Sequence, residues 1–521
     1  MAALKKQRLK GEGMLNRSMR LHGRAAQKKC ARWRAARLGG KTALIVALLA
    51  SCSAFAAPPP ISVPISSEQS PDGGATDAGS FLSNLKRSNF LLGDMFGLRT
   101  ALSKYGISLA VQETSEILGN VSGGTRKGAQ YDGLTQMIMQ MDTHRAFGWY
   151  GGLFNVSALQ IHGQNFSADN LSTIQTSSGI EADRATRLWE LWYDQKFLEE
   201  DRMDIKVGQQ SVDQEFIVSN NAAYFVNTMF GWPALPSYDM PGGGPAYPLS
   251  ALGVRLRFRP IDSVNVLLGV YNGSPVSNNT GDPQQQNASG TSFPLGGGRL
   301  IMAEVQYAYP SLGSMVYPGE SAPLARTYRL GAWYDTESFA DQRYDVNGIP
   351  LASPASNGIP ASHRGNFSLY AVADQMLWRN GEDPNNTLNA FARVMGTPQN
   401  DRNLIRSSVN AGLVYHEPFR YRPDDTFGVG MGYVHVTSAI QGYDRDVANY
   451  DALSDPGSYN PIQTSETYVE ATYQYQLRPW WQWQPDIQYV FNPGGGVVDP
   501  SAPTRRIGNE LVLGLRTNIL F

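Results

Sequence analysis

Sixteen segments of this chain alternate apolar and polar residues with a period of two, and that repetition excludes most folds before any other feature is weighed. In Thr467–Leu477, one face carries Thr467, Val469, Ala471, Tyr473, Tyr475 and Leu477, and the other Tyr468, Glu470, Thr472, Gln474 and Gln476. After Arg478, Pro479 and Trp480 the rhythm resumes, with Trp481, Trp483, Ile487, Tyr489 and Phe491 opposite Gln482, Gln484, Asp486 and Gln488. Two strands this close in sequence form an antiparallel hairpin. A half-polar hairpin suits a soluble sandwich as well as a membrane barrel, so the connections must decide which solvent meets the apolar face.

The alternation predicts strands at 107–118, 134–142, 151–162, 186–197, 203–209, 251–259, 263–272, 300–309, 326–336, 366–378, 387–396, 405–416, 426–437, 464–477, 481–491 and 508–521, with no long helix after Gly106. Connections 163–185, 210–250, 273–299, 337–365 and 438–463 are long; 199–201, 260–262 and 478–480 are short; 310–325 is intermediate. A sandwich has no reason to gather its long loops at one end. A bacterial outer-membrane barrel does, with short periplasmic turns, long extracellular loops and an even strand number. Closure pairs every backbone group where water is absent and removes the edge strands. The expected fold is therefore all-β, a transmembrane antiparallel barrel of about sixteen strands over residues 106–521.

A mean hydropathy of -0.31 with 17% charged residues rules out a bundle of membrane helices. Residues 1–41 hold thirteen Lys or Arg and one acid, Glu12, and lead into the apolar run TALIVALLA. With the small-x-small site Ala54-Phe55-Ala56, residues 1–56 read as a signal peptide. The competing reading is a lipobox, LASC, ending at Cys52. Cys30 is the other cysteine, so cleavage after Ala56 leaves none for disulfides or thiol catalysis. Cleavage also removes 13 of 44 bases and one of 45 acids, leaving 31 against 44 and a net charge of -13. Nucleic acid is an unsuitable partner for such a surface. Residues 57–105 read as a periplasmic tail with a short helix between Phe81 and Tyr105.

Four stretches, LLGDMFGLRTALSKYGISL (91–109), LWELWYDQKF (188–197), KVGQQSVDQEF (206–216) and YPLSALGVRLRFRP with VLLGVYNGSP (247–275), resemble the carbohydrate-selective porin family of OprB type. The resemblance runs in order from about residue 90 to Phe521. It departs at Met95-Phe96-Gly97, where family members often carry Trp-Gly-Gly. It implies a sixteen-stranded barrel in the outer membrane of a Gram-negative bacterium, embedded in lipid and lipopolysaccharide and admitting sugars such as glucose by passive diffusion. The terminal Phe521 resembles the signal read by the outer-membrane insertion machinery. A monomer and a homotrimer both fit, and neither a cofactor nor a metal is implied.

A sugar presents hydroxyls on its rim and C–H patches on its faces, so a selective pore needs paired polar groups and aromatic platforms. In RLWELWYDQKF the alternation sends Glu190, Trp192, Asp194 and Lys196 to the lumen; in GVRLRFRP it sends Arg255, Arg257 and Arg259 there, because three arginines cannot face lipid. With Asp213 and Glu215 these charges either set up a transverse field or form a cross-strand ladder that stiffens the wall. Connection 210–250 is the expected constriction, with Asn227, Trp232 and Tyr247 as sugar-binding candidates. Trp481, Trp483, Tyr489, Tyr473 and Tyr475 suit an interfacial girdle. The sequence has neither G-x-S-x-G nor H-E-x-x-H, which disfavours a barrel hydrolase. A general or differently selective porin and an adhesive barrel remain as alternatives.

Overall fold

The computed structural model describes residues 89–277, 281–310 and 323–521; the expected signal peptide and the tail as far as residue 88 lie outside them. Sixteen antiparallel strands close into one barrel. They are β1 (Ile107–Ser122), β2 (Gly128–Asp142), β3 (Gly152–Gly163), β4 (Ala185–Phe197), β5 (Met203–Gln210), β6 (Ala251–Ile261), β7 (Val264–Asn272) and β8 (Arg299–Tyr309). There follow β9 (Arg326–Asp345), β10 (Pro360–Arg379), β11 (Thr387–Gly396), β12 (Ile405–His416), β13 (Thr426–Val436), β14 (Ser465–Arg478), β15 (Trp481–Phe491) and β18 (Glu510–Leu520). Each expected segment overlaps one of them. A small hairpin of β16 (Val498–Asp499) and β17 (Ala502–Arg506) stands in the last loop, where no strand is expected.

The first strand closes on the last, with Gln112 opposite Leu520 and Asn120 opposite Val512. Segment 89–105 straps this seam: Leu91 N–H donates to the Leu520 carbonyl at 2.8 Å, and Phe521 N–H to that of Val111 at 2.9 Å. Arg99 stacks on Phe90 at 3.8 Å and donates to the Phe521 carbonyl. The helix expected within 81–105 is, among the described residues, only Leu98–Ser103, because Met95 and Phe96 at φ 51 and 57 break any helix entering from the N-terminal side.

Alternation settles the solvent question through which face is buried. On β14 and β15, Glu466, Glu470, Gln484 and Gln488 are buried, while Val469, Trp483, Ile487 and Tyr489 are exposed. The same inversion holds around the wall, where Val254, Leu268, Val270, Ile301 and Val305 face outward. A soluble β-protein would hide these side chains, since each large aliphatic group gains about 1.5–3 kcal/mol on leaving water. Here an apolar medium outside supplies that gain, and the polar groups turn to the interior.

Two expectations about connections are corrected. The long connection 337–365 is mostly strand, because β9 and β10 continue their pairing to Asp345 and Pro360 and the turn occupies only 346–359. Mixed polar residues hide the alternation there, since a hairpin extending past the wall no longer needs one apolar face. Connection 438–463 contains a helix, Ser438–Ser454, whose Thr437 hydroxyl accepts from the Ile440 N–H. It buries Ile440, Tyr443 and Val447 and pairs Asp446 with Arg343 of β9 at 2.7 Å. Its apolar stripe is too thin to read without the hairpin it packs on. Strand β2 also starts six residues before its expected edge, within the glycine-rich GAQYDG.

Burial pushes the carboxyl of Asp444 in this helix up to about 6, even though the Gln463 N–H donates to it at 2.8 Å. A raised carboxyl holds its proton longer in the docked state than in the undocked one. Docking is therefore strongest in acid and weakens as the pH rises from about 4 through 6. Hydrogen exchange of 438–454, corrected for intrinsic rates, should show opening on the order of tenfold to a hundredfold more frequent at pH 7.5 than at pH 4.5. Asp444→Asn should abolish that difference; an unchanged pH dependence in the variant would assign it elsewhere.

Candidate channel and constriction

A backbone that leaves the wall and crosses the lumen loses its strand partners, and each buried N–H or C=O then needs a substitute. The barrel supplies these substitutes from inward strand side chains. Loop 211–250 receives them at four points. Glu304 accepts from the Ile217 N–H at 2.9 Å. Asp374 accepts from the Ser219 hydroxyl at 2.6 Å and from Asn220 and Asn221 N–H at 3.2 Å. Glu470 accepts from Val226 and Asn227 N–H at 2.6 and 3.0 Å. Arg393, buried, donates to the carbonyls of Ile217, Met229, Phe230 and Gly231.

In return Asp239 of the loop accepts from Leu404 and Ile405 N–H at 3.0 and 3.1 Å, and burial pushes its carboxyl well above the usual range. Loop 164–184 folds inward too: Glu466 accepts from Ile174 and Gln175 N–H at 2.8 and 2.7 Å, and Gly179 N–H donates to the Val226 carbonyl at 2.8 Å.

The main apolar core lies inside the barrel, where Phe225, Met229, Phe230, Trp232 and Leu235 of loop 211–250 pack against Phe391, Val414 and Tyr468 of the wall. Strand β13 makes room with glycine. A Cβ at Gly430 would lie 2.6 Å from Phe230, so FGVGMG combines an apolar outer face with an empty inner one.

These loops leave a cavity of about 590 Å³ toward the end of the short turns 262–263 and 479–480. Gln112, Gln474, Gln476, Gln482 and Asn518 line its wall side, and Asn220 and Tyr224 its loop side. The carboxamides are linked: Asn518 donates to Gln482 at 3.0 Å, Gln482 to Gln476 at 3.2 Å, and Thr114 to Asn518 at 2.7 Å. Arg516 also reaches the cavity but is neutralised by Glu116 at 2.8 Å. Asp213 also lines the cavity, and the rest of its polar lining is mostly carboxamide, with donors and acceptors interleaved.

The charged candidates gather on β4 to β6. Register places Asp194 beside Lys206, Lys206 beside Arg255, and Asp204 beside Arg257. Arg255 lies 3.8 Å from Asp194 and 2.5 Å from Glu215, and also meets Asp204; Lys206 meets Glu215 and sits 4.4 Å above the Trp192 ring. Glu190 accepts from the Ser211 N–H at 3.1 Å and is buried. The group is a cross-strand ladder with its charges paired, in which Arg257, bound to Asp204, keeps 42% of its side chain exposed.

Four candidates stand apart from this ladder. Lys196 pairs with Asp201 at 3.0 Å, and Arg259 donates to the Glu200 carbonyl at 2.5 Å, so both brace the turn 198–202. Asp213 accepts from Ser211 and from the Tyr247 N–H at 3.1 Å, and burial raises its carboxyl. Asn227 caps the helix Thr228–Gly231 and donates to Gln488 at 3.0 Å.

Trp232 and Tyr247 are corrections. Both are 0% exposed, with Trp232 Nε1 on the Gly243 carbonyl at 3.0 Å and the Tyr247 hydroxyl on that of Ile180 at 3.0 Å. Neither can stack on a solute, because an aromatic ring in a folded-in loop is used first to hold the loop down. Sequence reasoning missed the anchors Glu304, Asp374, Arg393 and Glu466. Their inward position was legible from alternation; their partners, up to 292 residues away, were not. Among the described residues no cluster of His, Cys, Asp or Glu could hold a metal ion.

The chain is 26% identical over 450 residues to porin B of Pseudomonas aeruginosa, covering 83% of this chain and 92% of that protein. It is 24% identical over 432 residues to the putative porin QuiX of Acinetobacter baylyi, covering 78% and 89%. The high-pH structure of Pseudomonas putida OprB matches the fold with a TM-score of 0.73 at 24% identity, over 84% of this chain and 99% of that one. Residues 126–521 match the family described as carbohydrate-selective porin, OprB family. The family match and the closed barrel with an apolar outer wall indicate a porin channel of the bacterial outer membrane. This chain belongs to the OprB family of carbohydrate-selective porins.

Proposed function

We propose that the barrel passes small neutral sugars, glucose among them, by passive and selective diffusion, with the long loops outside the cell and the short turns in the periplasm. The observation that carries this reading is the carboxamide-lined cavity beside loop 211–250. A hydroxyl can replace a neighbouring amide as donor or acceptor at little cost, whereas an ion gains no counter-charge from carboxamides. The faces of Tyr224 and Trp480 at the cavity edge suit the C–H side of a sugar ring. Phe521, held at the closing seam, is the residue presented to the insertion machinery, and the girdle aromatics contact lipid and lipopolysaccharide at the rims.

Swelling of liposomes containing the purified protein tests this reading. Glucose should enter several-fold faster than a neutral amino acid of similar size, and faster than a sugar phosphate. Rates that follow solute size alone would make the barrel a general diffusion porin. Gln482→Glu, which charges the centre of the amide network, should slow glucose several-fold and shift the salt reversal potential toward cation selectivity; unchanged values would remove Gln482 from the path.

A further inference from the structure

The described residues begin at the mouth of the cavity beside loop 211–250. Leu91 N–H donates to the Leu520 carbonyl at 2.8 Å, and Leu520 lines that cavity together with Gln476, Pro479, Trp480 and Asn518. The tail before residue 89 is therefore tethered within reach of the opening. Its sequence is uneven: 57–67 reads APPPISVPISS, with four prolines and no charged residue, and 68–80 reads EQSPDGGATDAGS, rich in Gly, Ser and acids. A Gly/Ser-rich chain of that second length has a root-mean-square span of about 20 Å, and a cavity of this volume is about 10 Å across, so 57–67 reaches it with 81–88 to spare.

Proline fixes φ near −65° and steers the residue before it away from helix, so a segment with four prolines in eleven favours an extended polyproline II form with its carbonyls turned outward. Such a segment has many acceptors, few donors and little ordering entropy left to lose. Aromatic-lined grooves bind segments of this kind, and amide donors beside the aromatic faces satisfy the carbonyls. The cavity has both parts. Gln112 and Asn518 each use one amide N–H in the wall network, at 3.1 and 3.0 Å, which leaves the second for a docked carbonyl. Tyr224, Pro479 and Trp480 supply the apolar faces. The lack of charge in 57–67 matters as well, because carboxamides give an ion no counter-charge.

We propose that residues 57–67 dock in this cavity and intermittently close the mouth on the side of the short turns, so that the chain regulates its own channel. The closure rests on the cavity being part of the sugar route; the docking does not. A tether of this length holds the segment at an effective concentration in the millimolar range, so a contact with a Kd of about 1 mM fills the cavity about half of the time. The intact channel then conducts in bursts and is never permanently shut.

Cleavage after Ala56 leaves no cysteine in the chain, so an introduced pair reports docking directly. Under mild oxidation in native outer membranes, Ile61→Cys combined with Gln476→Cys should form a disulfide within one chain, and Ile61→Cys combined with Val305→Cys, on the outer wall, should not. Removal of residues 58–65 keeps the strap 89–105; it should abolish the brief closures in planar bilayers and raise glucose entry into liposomes about twofold. A synthetic peptide of residues 57–67 should restore the closures from the side of the short turns only. Absence of the disulfide between positions 61 and 476 would overturn the docking whatever the conductance does. A disulfide with unchanged conductance in the shortened chain would overturn the closure and place the cavity off the conducting path. A shortened chain that loses its closures but does not prefer glucose would sink sugar selectivity and leave the docking in place.

Discussion

Replacing Arg393 by Leu frees loop 211–250 from the lumen, raises single-channel conductance several-fold and lets a disaccharide enter liposomes at a rate near that of glucose. The guanidinium is the one group that satisfies the carbonyls of Ile217, Met229, Phe230 and Gly231 together, and it also holds Asn410 at 3.1 Å. Each buried carbonyl left without a donor costs about 1–3 kcal/mol. Four of them, about 4–12 kcal/mol together, are comparable to or larger than the roughly 5.5 kcal/mol that carries a two-state equilibrium from almost wholly docked to almost wholly released. The loop has an alternative, because its carbonyls can reach water by leaving the lumen, so the wall remains folded. Wild-type conductance from a barrel of native heat-modifiability would show that the aromatic packing of Phe225 and Phe230, not Arg393, holds the constriction.

The second large effect is expected at Glu466. Its two oxygens accept from Ile174 at 2.8 Å, Gln175 at 2.7 Å and Gly494 at 2.6 Å, tying loop 164–184 and the last loop to β14. Glu466→Ala strands all three N–H groups, a loss on the order of 3–6 kcal/mol in loop docking. Protease should then cut within 164–184, most of which is buried in the wild type, while the barrel strands survive. Glu466→Gln keeps one acceptor oxygen and should fall between. Equal protection in all three proteins would mean that the network around Glu116 and Ser178 suffices to hold loop 164–184.

Much of the site's failure to appear in the sequence traces to one cause, visible at Trp232. In NTMFGWPALP the ring is a fair candidate for stacking on a sugar, and nothing nearby says that it is spent on the Gly243 carbonyl and the loop core. Gln482 has the opposite history. As one polar residue in an alternating strand it carries no functional mark, and it becomes part of a cavity only because Gln474, Gln476 and Asn518 converge on it. The arginines of β6 fall between these cases. Their inward direction was legible, but whether they set a field or stiffen the wall depended on Asp194, Asp204 and Glu215, contributed by other segments.

What the chain by itself determined is the barrel: strand number, which residues face in or out, and the apolar medium around it. These follow from a period-two pattern repeated sixteen times and from where the long connections fall, both local properties of the chain. What only the tertiary structure decided is the interior. Loops 164–184 and 211–250 are ordered by wall side chains up to 292 residues distant, and the hydrogen-bonding needs of a backbone inside a closed lumen, not any local pattern, select where they lie.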